Sequence, residues 1–192
     1  MALPVTGKLK EKMAAANTLP ISVSEYLHTS YRPDCDYVDG ALEERNLGEF
    51  DHAALQEALL SWFRNHKDEW GVRAYPELRV QVSPTRFRVA DICVLSASAP
   101  REQIIQTPPV AVIEVLSSED RVSRYLARLE DYRRMGIRNI WIIDPADRTG
   151  FDFSSGNWIE ARSFADPNTG IHIDLDSLFA SIDDALGDSS RP

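Results

Sequence analysis

The sequence predicts a mixed α/β fold, in which a β-sheet with parallel and antiparallel strands is flanked by helices. Two apolar runs rich in valine and isoleucine, FRVADICVL and PPVAVIEVL, are typical of buried strands. A helical pattern follows the second run, and another apolar strand follows that helix. This order favours a parallel pair of strands joined by a helical crossover, within a sheet that also contains antiparallel hairpins.

Length and composition predict one globular domain. A chain of 192 residues accommodates a domain of about 150 residues and a tail. We expect a flexible leader over residues 1–20, a single domain over 21–185 and a tail over 186–192.

No apolar run approaches the ~20 residues of a membrane span, and the leader lacks the apolar stretch of a secretory signal. Cys35 and Cys93 lack CxxC spacing and are expected to be reduced thiols in a cytoplasmic protein without membrane contact.

The net charge restricts the partners that the protein is expected to bind. A charge of −9 at pH 7 argues against a non-specific nucleic-acid coat protein, which would be basic. The charge does not exclude a nuclease, because carboxylates clustered in a metal site and an acidic C-terminal segment both contribute to it.

The first two predicted elements are a short helix and a hairpin. The segment ISVSEYLHTS predicts the helix, with Ser22 or Ser24 as its cap. The segment CDYVDGALEERN predicts the hairpin, with Asp39 and Gly40 in its turn and Asp36 just ahead of it.

A long helix and a second hairpin follow. The helix begins at EFDHAALQ, where Asp51 is the expected N-cap and His52 projects with the apolar stripe. His52 is either a satisfied histidine at a helix start or part of a site. The segment VRAYPELRVQVSPTRFRVADICVLS predicts strands that turn at Pro84 and Thr85, and SASAPREQIIQTPP predicts a loop with one helical turn.

The C-terminal part is predicted to contain two helices separated by strands. The first helix runs from about Arg121 to Gly136, a typical residue just past a helix end. The segment RNIWIIDP predicts a buried strand, and DRTGFDFSSGNWIEARSF predicts one hairpin that turns at Ser155-Gly156-Asn157. The segment IDLDSLFASIDDAL predicts a short terminal helix. This hairpin and helix are expected to cap the sheet or to form an interface.

Each of the two buried strands contains one acid, Asp91 in the first and Glu114 in the second. A carboxylate inside an apolar strand costs several kcal/mol unless it is paired, protonated or bound to a metal. Mg²⁺ and Mn²⁺ prefer oxygen ligands, and one or two carboxylates with water and substrate phosphate are a typical set. The two acids therefore predict a divalent-cation site, to which the carbonyl of Val115 could add an oxygen. The alternative is a structural pairing of both acids with arginines.

The helix after Glu114 presents three arginines on one side. Arg121, Arg124 and Arg128 fall within about 60° of one another around the helix, and Tyr125 and Tyr132 flank them. We expect this side to lie near the acid of the preceding strand, where the arginines could bind a phosphate or pair with the acids. The alternative is a solvated basic face paired with acids of the same helix.

The motifs described above, in this order, resemble the Uma-two family of restriction-endonuclease-like proteins within the PD-(D/E)XK nuclease superfamily. The resemblance covers about residues 21–153 and is carried by DYVDGALEE, EFDHAALQ, PELRVQV, FRVADICVL, PPVAVIEVLSSED, DYRRMGIRN and IWIIDP. It implies a mixed sheet flanked by helices and Mg²⁺-dependent cleavage of nucleic acid. It also implies that Asp91 is the motif aspartate and Glu114 the acid of the (D/E)XK element, with Asp36 and His52 at positions that are frequently acidic and histidine.

The sequence departs from the superfamily motif at the lysine. Leu116 occupies the lysine position, and Arg128 matches a lysine that appears on the following helix in this family. Ala90 replaces the usual proline before the aspartate. No lysine occurs after Lys67. An arginine stays protonated and cannot act as a general base, but it can hold the scissile phosphate or stabilise developing negative charge.

These observations leave two functional hypotheses. The first is an endonuclease that uses Mg²⁺ or Mn²⁺ to hydrolyse nucleic acid, with DNA favoured, and a homodimer is compatible with it because nucleases that cut both strands often pair two sites. Its expected site residues are Asp91, Glu114 and Arg128 for catalysis, Arg124, Arg121 and His52 for phosphate binding, and Asp91, Glu114 and Asp36 for the metal. The second is a catalytically silent module of nuclease fold that binds a partner, with Asp91 and Glu114 neutralised by Arg128 and its neighbours.

Overall fold

The computed structural model describes residues 20–32, 34–45, 49–117 and 122–187. The described helices are α1 (Val23–His28), α2 (Phe50–Trp70), α3 (Val122–Met135) and α4 (Leu175–Leu186). The described strands are β1 (Cys35–Val38), β2 (Ala41–Glu44), β3 (Val72–Ser83), β4 (Arg86–Ser96), β5 (Ala111–Val115), β6 (Asn139–Asp144), β7 (Thr149–Asp152), β8 (Ile159–Ala161), β9 (Ser163–Asp166) and β10 (Ile171–Asp174). The expected leader and most of the expected tail lie outside the described residues.

The central sheet is mixed, as the sequence predicts. Its strands follow the order β2-β1-β4-β5-β6-β7-β8, and β3 also pairs with β4. β5 and β6 run parallel, and α3 connects them, which confirms the predicted crossover. The other pairs in this sheet are antiparallel.

Helices cover both faces of the sheet. Alternate residues of β6 point to opposite faces, so Trp141 packs toward α2 and α4 while Ile142 packs toward α3. Leu59 of α2 and Leu129 of α3 are fully buried on the two sides. Because both faces are buried, the central strands are apolar throughout, and any acid within them needs a partner.

The N-terminal elements follow the predicted pattern with one correction. The Ser22 hydroxyl caps α1 by accepting a hydrogen bond from the Glu25 amide at 3.1 Å. Asp39 and Gly40 form the β1–β2 turn with positive φ angles of 49° and 96°, as a tight hairpin requires. The prediction of Asp51 as the cap of α2 is wrong, because the helix begins at Phe50 and its cap is Glu49, two residues before the predicted one.

The C-terminal segment contains more strands than the sequence suggests. The predicted single hairpin is only β7–β8, and the following residues form a second hairpin, β9–β10. Phe164 and Ile173 of this hairpin and Leu178 of α4 belong to the same buried core as α2 and the sheet. The hairpin and the helix therefore cap the sheet. The helical turn predicted between β4 and β5 is also wrong, since that segment holds only turns and an isolated bridge from Ile105 to Val80.

No helix among the described residues is long and apolar enough to cross a membrane.

Candidate active site

Asp91 and Glu114 lie side by side in the centre of the sheet. β4 and β5 pair antiparallel through Ile92 and Ile113, and the next position of the same register places Asp91 opposite Glu114. Both side chains are buried, with 2% of Asp91 and none of Glu114 exposed. The structure thus brings together the two acids that the sequence predicts as metal ligands.

Asp91 is held in its ionised form. Its Oδ2 accepts a hydrogen bond from the Val115 amide at 2.8 Å, and His52 Nε2 lies 3.5 Å from the same oxygen. Its Oδ1 pairs with the Arg45 guanidinium. Burial by itself raises the pKa of Asp91, but the hydrogen bond with His52 and the charge of Arg45 outweigh it and lower the pKa from 3.8 to about 2.

The pKa of Glu114 is shifted in the opposite direction, upward. Its Oε2 accepts a hydrogen bond from Arg128 Nη1 at 2.9 Å, and its Oε1 accepts one from the Tyr132 hydroxyl at 2.7 Å. Burial outweighs the opposing positive charge of Arg128 and, together with the negative charge of Asp91, raises the pKa of Glu114 from 4.5 to about 7. Two neighbouring carboxyl groups whose pKa values are driven apart in this way are typical of acid–base and metal sites, although structural ion-pair networks also shift pKa values.

Asp36 connects this pair to a second group of charges. The Asp36 Oδ1 accepts a hydrogen bond from the Val89 amide at 2.9 Å, and its Oδ2 accepts bonds from Arg88 Nη1 at 3.0 Å and Arg128 Nε at 3.2 Å. Arg128 therefore bridges Asp36 and Glu114. Both oxygens of Asp36 thus accept bonds from protein donors. The expected role of Asp36 as a metal ligand stays a prediction.

The charge network extends to the far end of β4. Arg88 is fully buried, and it contacts Asp131 of α3 through Nε at 2.8 Å and Glu43 of β2 through Nη1 at 2.7 Å. Asp131 also pairs with Arg86. These five acids of β1, β2, β4, β5 and α3 thus share four arginines, and each of the five has a cationic partner. This buried network consists of Asp36, Glu43, Asp91, Glu114, Asp131, Arg45, Arg86, Arg88 and Arg128.

The other predicted phosphate-binding residues differ in their positions. His52 lies beside Asp91, and its side chain is 13% exposed, so it reaches both the acid and the surface. Arg124 is exposed on α3, and its Nη1 donates to the carbonyl of Glu44 at 3.4 Å. Arg121 lies outside the described residues.

Three residues near the acids were not singled out by the sequence as site residues. Arg45, which follows β2, donates to the Val89 carbonyl at 2.6 Å and pairs with Asp91. Gln56 Nε2 donates to the Asp91 carbonyl at 2.9 Å, and Tyr132 orients Glu114. The available signals were the position of Gln56 one turn after His52 and the position of Tyr132 one turn after Arg128, whereas nothing in the local pattern marks Arg45.

A small cavity leads from the surface toward Asp91. It has a volume of about 110 Å³ and is lined by Glu49, Asp51, His52, Leu116, Ser117 and Asp144, among others. Leu116 therefore contributes an apolar wall to this cavity. His52 both lines the cavity and contacts Asp91, so solvent reaches to within one side chain of the acid.

The two central carboxylates fit a magnesium-type ion. Two carboxylates on adjacent strands supply hard oxygen ligands, and Mg²⁺ commonly takes one or two carboxylates and completes its shell with water and phosphate. Among the described residues, no three or more His, Cys, Asp or Glu side chains converge as a fuller protein cage. In the present structure Arg45 contacts Asp91 Oδ1 and Arg128 contacts Glu114 Oε2, so each acid already has a cationic partner.

Comparisons with known proteins support the family and the fold. The model of a family named Uma2, described as "Putative restriction endonuclease", matches residues 23–175. The fold is similar to a crystal structure described as "a putative nuclease belonging to DUF820 from Anabaena variabilis ATCC 29413", with 23% identity and a TM-score of 0.74, covering 85% of this chain and 99% of that one. A cryo-EM structure of the DrdV–DNA complex shows 15% identity and a TM-score of 0.39 over 73% of this chain and 11% of that one. No curated protein matches the sequence.

Removal of Arg88 tests whether the buried network depends on its cations. In Arg88→Met, Asp36 and Asp131 lose a shared buried partner, and we expect the free energy of unfolding to fall by about 3–5 kcal/mol. Urea unfolding measures this change. The matched control is Arg134→Met, because Arg134 is an exposed arginine paired with Glu130 on α3, and a change within about 0.5 kcal/mol is expected there. Equal losses in the two variants would contradict the assigned role of Arg88.

The contact with Asp91 predicts an elevated pKa for His52. The hydrogen bond to Asp91 is the largest influence and exceeds the lowering effect of burial, so the pKa lies above 6.5. The stabilisation from this contact is fully present below the unfolded-state pKa of about 6.5 and is lost as the pH rises through the folded-state value. An NMR titration of the imidazole protons measures the pKa, and Asp91→Asn should lower it. A His52 pKa that is unchanged in Asp91→Asn would show that the two side chains do not interact.

Proposed function

The chain belongs to the Uma2 family, described as putative restriction endonucleases, and from this premise we propose that it is a divalent-metal-dependent endonuclease that hydrolyses phosphodiester bonds of nucleic acid. The observation that carries the proposal is the placement of Asp91 opposite Glu114 on adjacent buried strands, next to Arg128. DNA is the proposed substrate because the family description refers to restriction endonucleases. The proposed location is the cytoplasm, where the buried thiols of Cys35 and Cys93 would stay reduced.

Asp91 and Glu114 are the proposed ligands of Mg²⁺ or Mn²⁺. When bound, such an ion supplies a Lewis acid that polarises the phosphodiester and lowers the pKa of a nearby water. The protein contributes the placement of the two carboxylates. Tyr132 fixes one oxygen of Glu114, and the Val115 amide fixes one oxygen of Asp91, so neither side chain is free to rotate away. Asp36 is proposed to support the site, through Arg128 or as a further metal ligand.

Arg128 is the proposed substitute for the superfamily lysine. Its guanidinium contacts both Glu114 and Asp36, and the proposal is that this permanent positive charge acts on the scissile phosphate. Because arginine does not release its proton near neutral pH, Arg128 can stabilise developing negative charge but cannot accept the proton of the attacking water. That proton must pass to the substrate phosphate, to solvent or to another side chain.

His52 and Arg45 are proposed to prepare the other side of the site. His52 is partly exposed beside Asp91 and can contact a phosphate or order the carboxylate. Arg45 neutralises Asp91 by pairing with its Oδ1. Arg124, exposed on α3, can contact the nucleic-acid backbone farther from the acids, and Arg121 keeps the same proposed role.

The alternative function is a catalytically silent module of nuclease fold. Two observations favour it: arginines already neutralise both central acids, and Leu116 gives an apolar side chain at the lysine position. A buried ion-pair network of this kind can be kept for structural specificity without contributing much net stability.

Nicking of supercoiled plasmid tests the two hypotheses against each other. We expect purified protein to nick plasmid in Mg²⁺ or Mn²⁺ but not in EDTA. Glu114→Gln, which keeps the size of the side chain and removes its charge, should lower the nicking rate by about 100-fold or more because a metal ligand is lost. The matched control is Glu160→Gln, a change of an exposed glutamate on β8 that should leave the rate unaltered.

Two results would contradict the endonuclease proposal. Nicking that persists in Glu114→Gln would indicate a contaminating nuclease or a different site. A complete lack of metal-dependent cleavage of both DNA and RNA by the folded wild-type protein would favour the silent module.

A further inference from the structure

A groove lies at the edge of the sheet where β3 begins and β4 ends. It has a volume of about 450 Å³ and is bounded on its other side by the loop of residues 97–106. Its walls include the aliphatic side chains of Leu78 and Leu95, the aromatic ring of Tyr75 and the guanidinium groups of Arg73 and Arg101. The groove thus combines an aromatic surface with two cations.

Hydrogen bonds hold the outer wall of the groove in place. The Glu102 carboxylate accepts bonds from the Gln106 amide at 2.8 Å, the Thr107 amide at 3.0 Å and the Thr107 hydroxyl at 3.1 Å. The backbone of Ile105 forms two further bonds with β3, to Arg79 and Gln81, each 2.8 Å long. The loop is therefore tied to the sheet, and the charge of Glu102 is already used by donors of its own loop.

The two arginines of the groove differ from those of the buried network. Arg73 and Arg101 are exposed, and within the described ranges neither has a carboxylate close enough for an ion pair. Tyr75 is 42% exposed, which leaves part of its ring open to solvent. In a chain with a net charge of −9, uncompensated cations around an exposed aromatic ring favour an anionic ligand that carries a flat ring.

The groove lies on the same face of the sheet as Glu114. Tyr75 pairs with Cys93, Cys93 pairs with Val112, and Glu114 follows Val112 by two positions, so all four side chains share one face. Along β4, Cys93 lies two residues from Asp91, which corresponds to about 7 Å at roughly 3.4 Å per residue. Because Tyr75 lies opposite Cys93, the groove is on the order of 7 Å along the strands from the acids, close enough for one substrate strand to contact both.

We propose that this groove binds an unpaired nucleotide of the substrate strand beside the cleavage site, with its base stacked on Tyr75 and neighbouring phosphates contacted by Arg73 and Arg101. The proposal rests on the proposed nuclease function and adds a preference for a single-stranded segment. Only an unpaired or terminal base exposes a face to an aromatic side chain, because bases inside a duplex already stack on each other. A second copy of the chain is the competing occupant of the groove.

Binding of a short fluorescein-labelled single-stranded DNA in EDTA tests this proposal by fluorescence anisotropy. Without metal, binding is measured separately from cleavage. We expect Tyr75→Leu to raise Kd about tenfold, since the stacking platform for the base is removed while an apolar side chain remains. We expect the double variant Arg73→Gln/Arg101→Gln to reduce the slope of log Kd against log salt by about 1.4, or about 0.7 for each phosphate that an arginine no longer neutralises.

Matched variants elsewhere on the surface serve as controls. Phe50→Leu changes an aromatic residue that is 67% exposed at the start of α2, and Arg133→Gln/Arg134→Gln changes two exposed arginines on α3. These variants should bind the oligonucleotide as the wild type does. A blunt duplex of the same sequence should be bound equally well by wild type and Tyr75→Leu.

The possible outcomes distinguish a failure of the groove proposal from a failure of the nuclease proposal. Unchanged binding by the groove variants, or no binding by the wild type, would overturn the groove proposal even if plasmid nicking succeeds. A third outcome is that the oligonucleotide binds through the groove in both the wild type and Glu114→Gln, while the wild type does not nick plasmid. This outcome would support the groove proposal and reject the nuclease proposal. Loss of a dimer in the groove variants, measured by analytical ultracentrifugation, would show that the groove is an interface between copies and would also overturn the proposal.

Discussion

The structure depends on the neutralisation of carboxylates buried inside its central sheet. Asp36, Asp91 and Glu114 lie on three consecutive strands of that sheet, and water reaches almost none of their surface. An isolated ionised carboxylate in such a place would cost more free energy than a domain of this size has to spare. The arginines of the buried network remove this cost by contributing charged hydrogen bonds from β4, α3 and the end of β2.

This requirement links the fold to the proposed chemistry. Arg128 must reach from α3 to both Asp36 and Glu114, so the helix is fixed against the sheet at the level of the acids. The same contacts produce different electrostatic environments for the two central acids, since Asp91 is bonded by Arg45 and His52 while burial dominates at Glu114. The buried network therefore gives Arg128 a structural role as the shared counter-ion of Asp36 and Glu114.

The sequence predicts the parts of this arrangement that depend on local pattern. The apolar runs around Asp91 and Glu114, the helix between β5 and β6 and the Asp39-Gly40 turn have periodicities or turn residues that favour one local structure. Their order along the chain is sufficient to place the two acids on neighbouring strands. The features that the sequence does not predict depend on contacts between distant segments. Arg45 reaches Asp91 only because β1 and β2 fold beside β4, and the hairpin β9–β10 is stabilised by packing of Phe164 on Trp141.

The central claim is that Asp91 and Glu114 form a site for a divalent cation, and titration calorimetry with Mn²⁺ in the absence of nucleic acid tests it most directly. The account predicts saturable binding by the wild type that is abolished in Asp91→Asn, while Asp176→Asn, a change of an exposed aspartate in the first turn of α4, binds as the wild type does. The absence of saturable binding by the folded wild type, or equal binding by Asp91→Asn, would contradict the claim and leave the two acids as members of a purely structural ion-pair network.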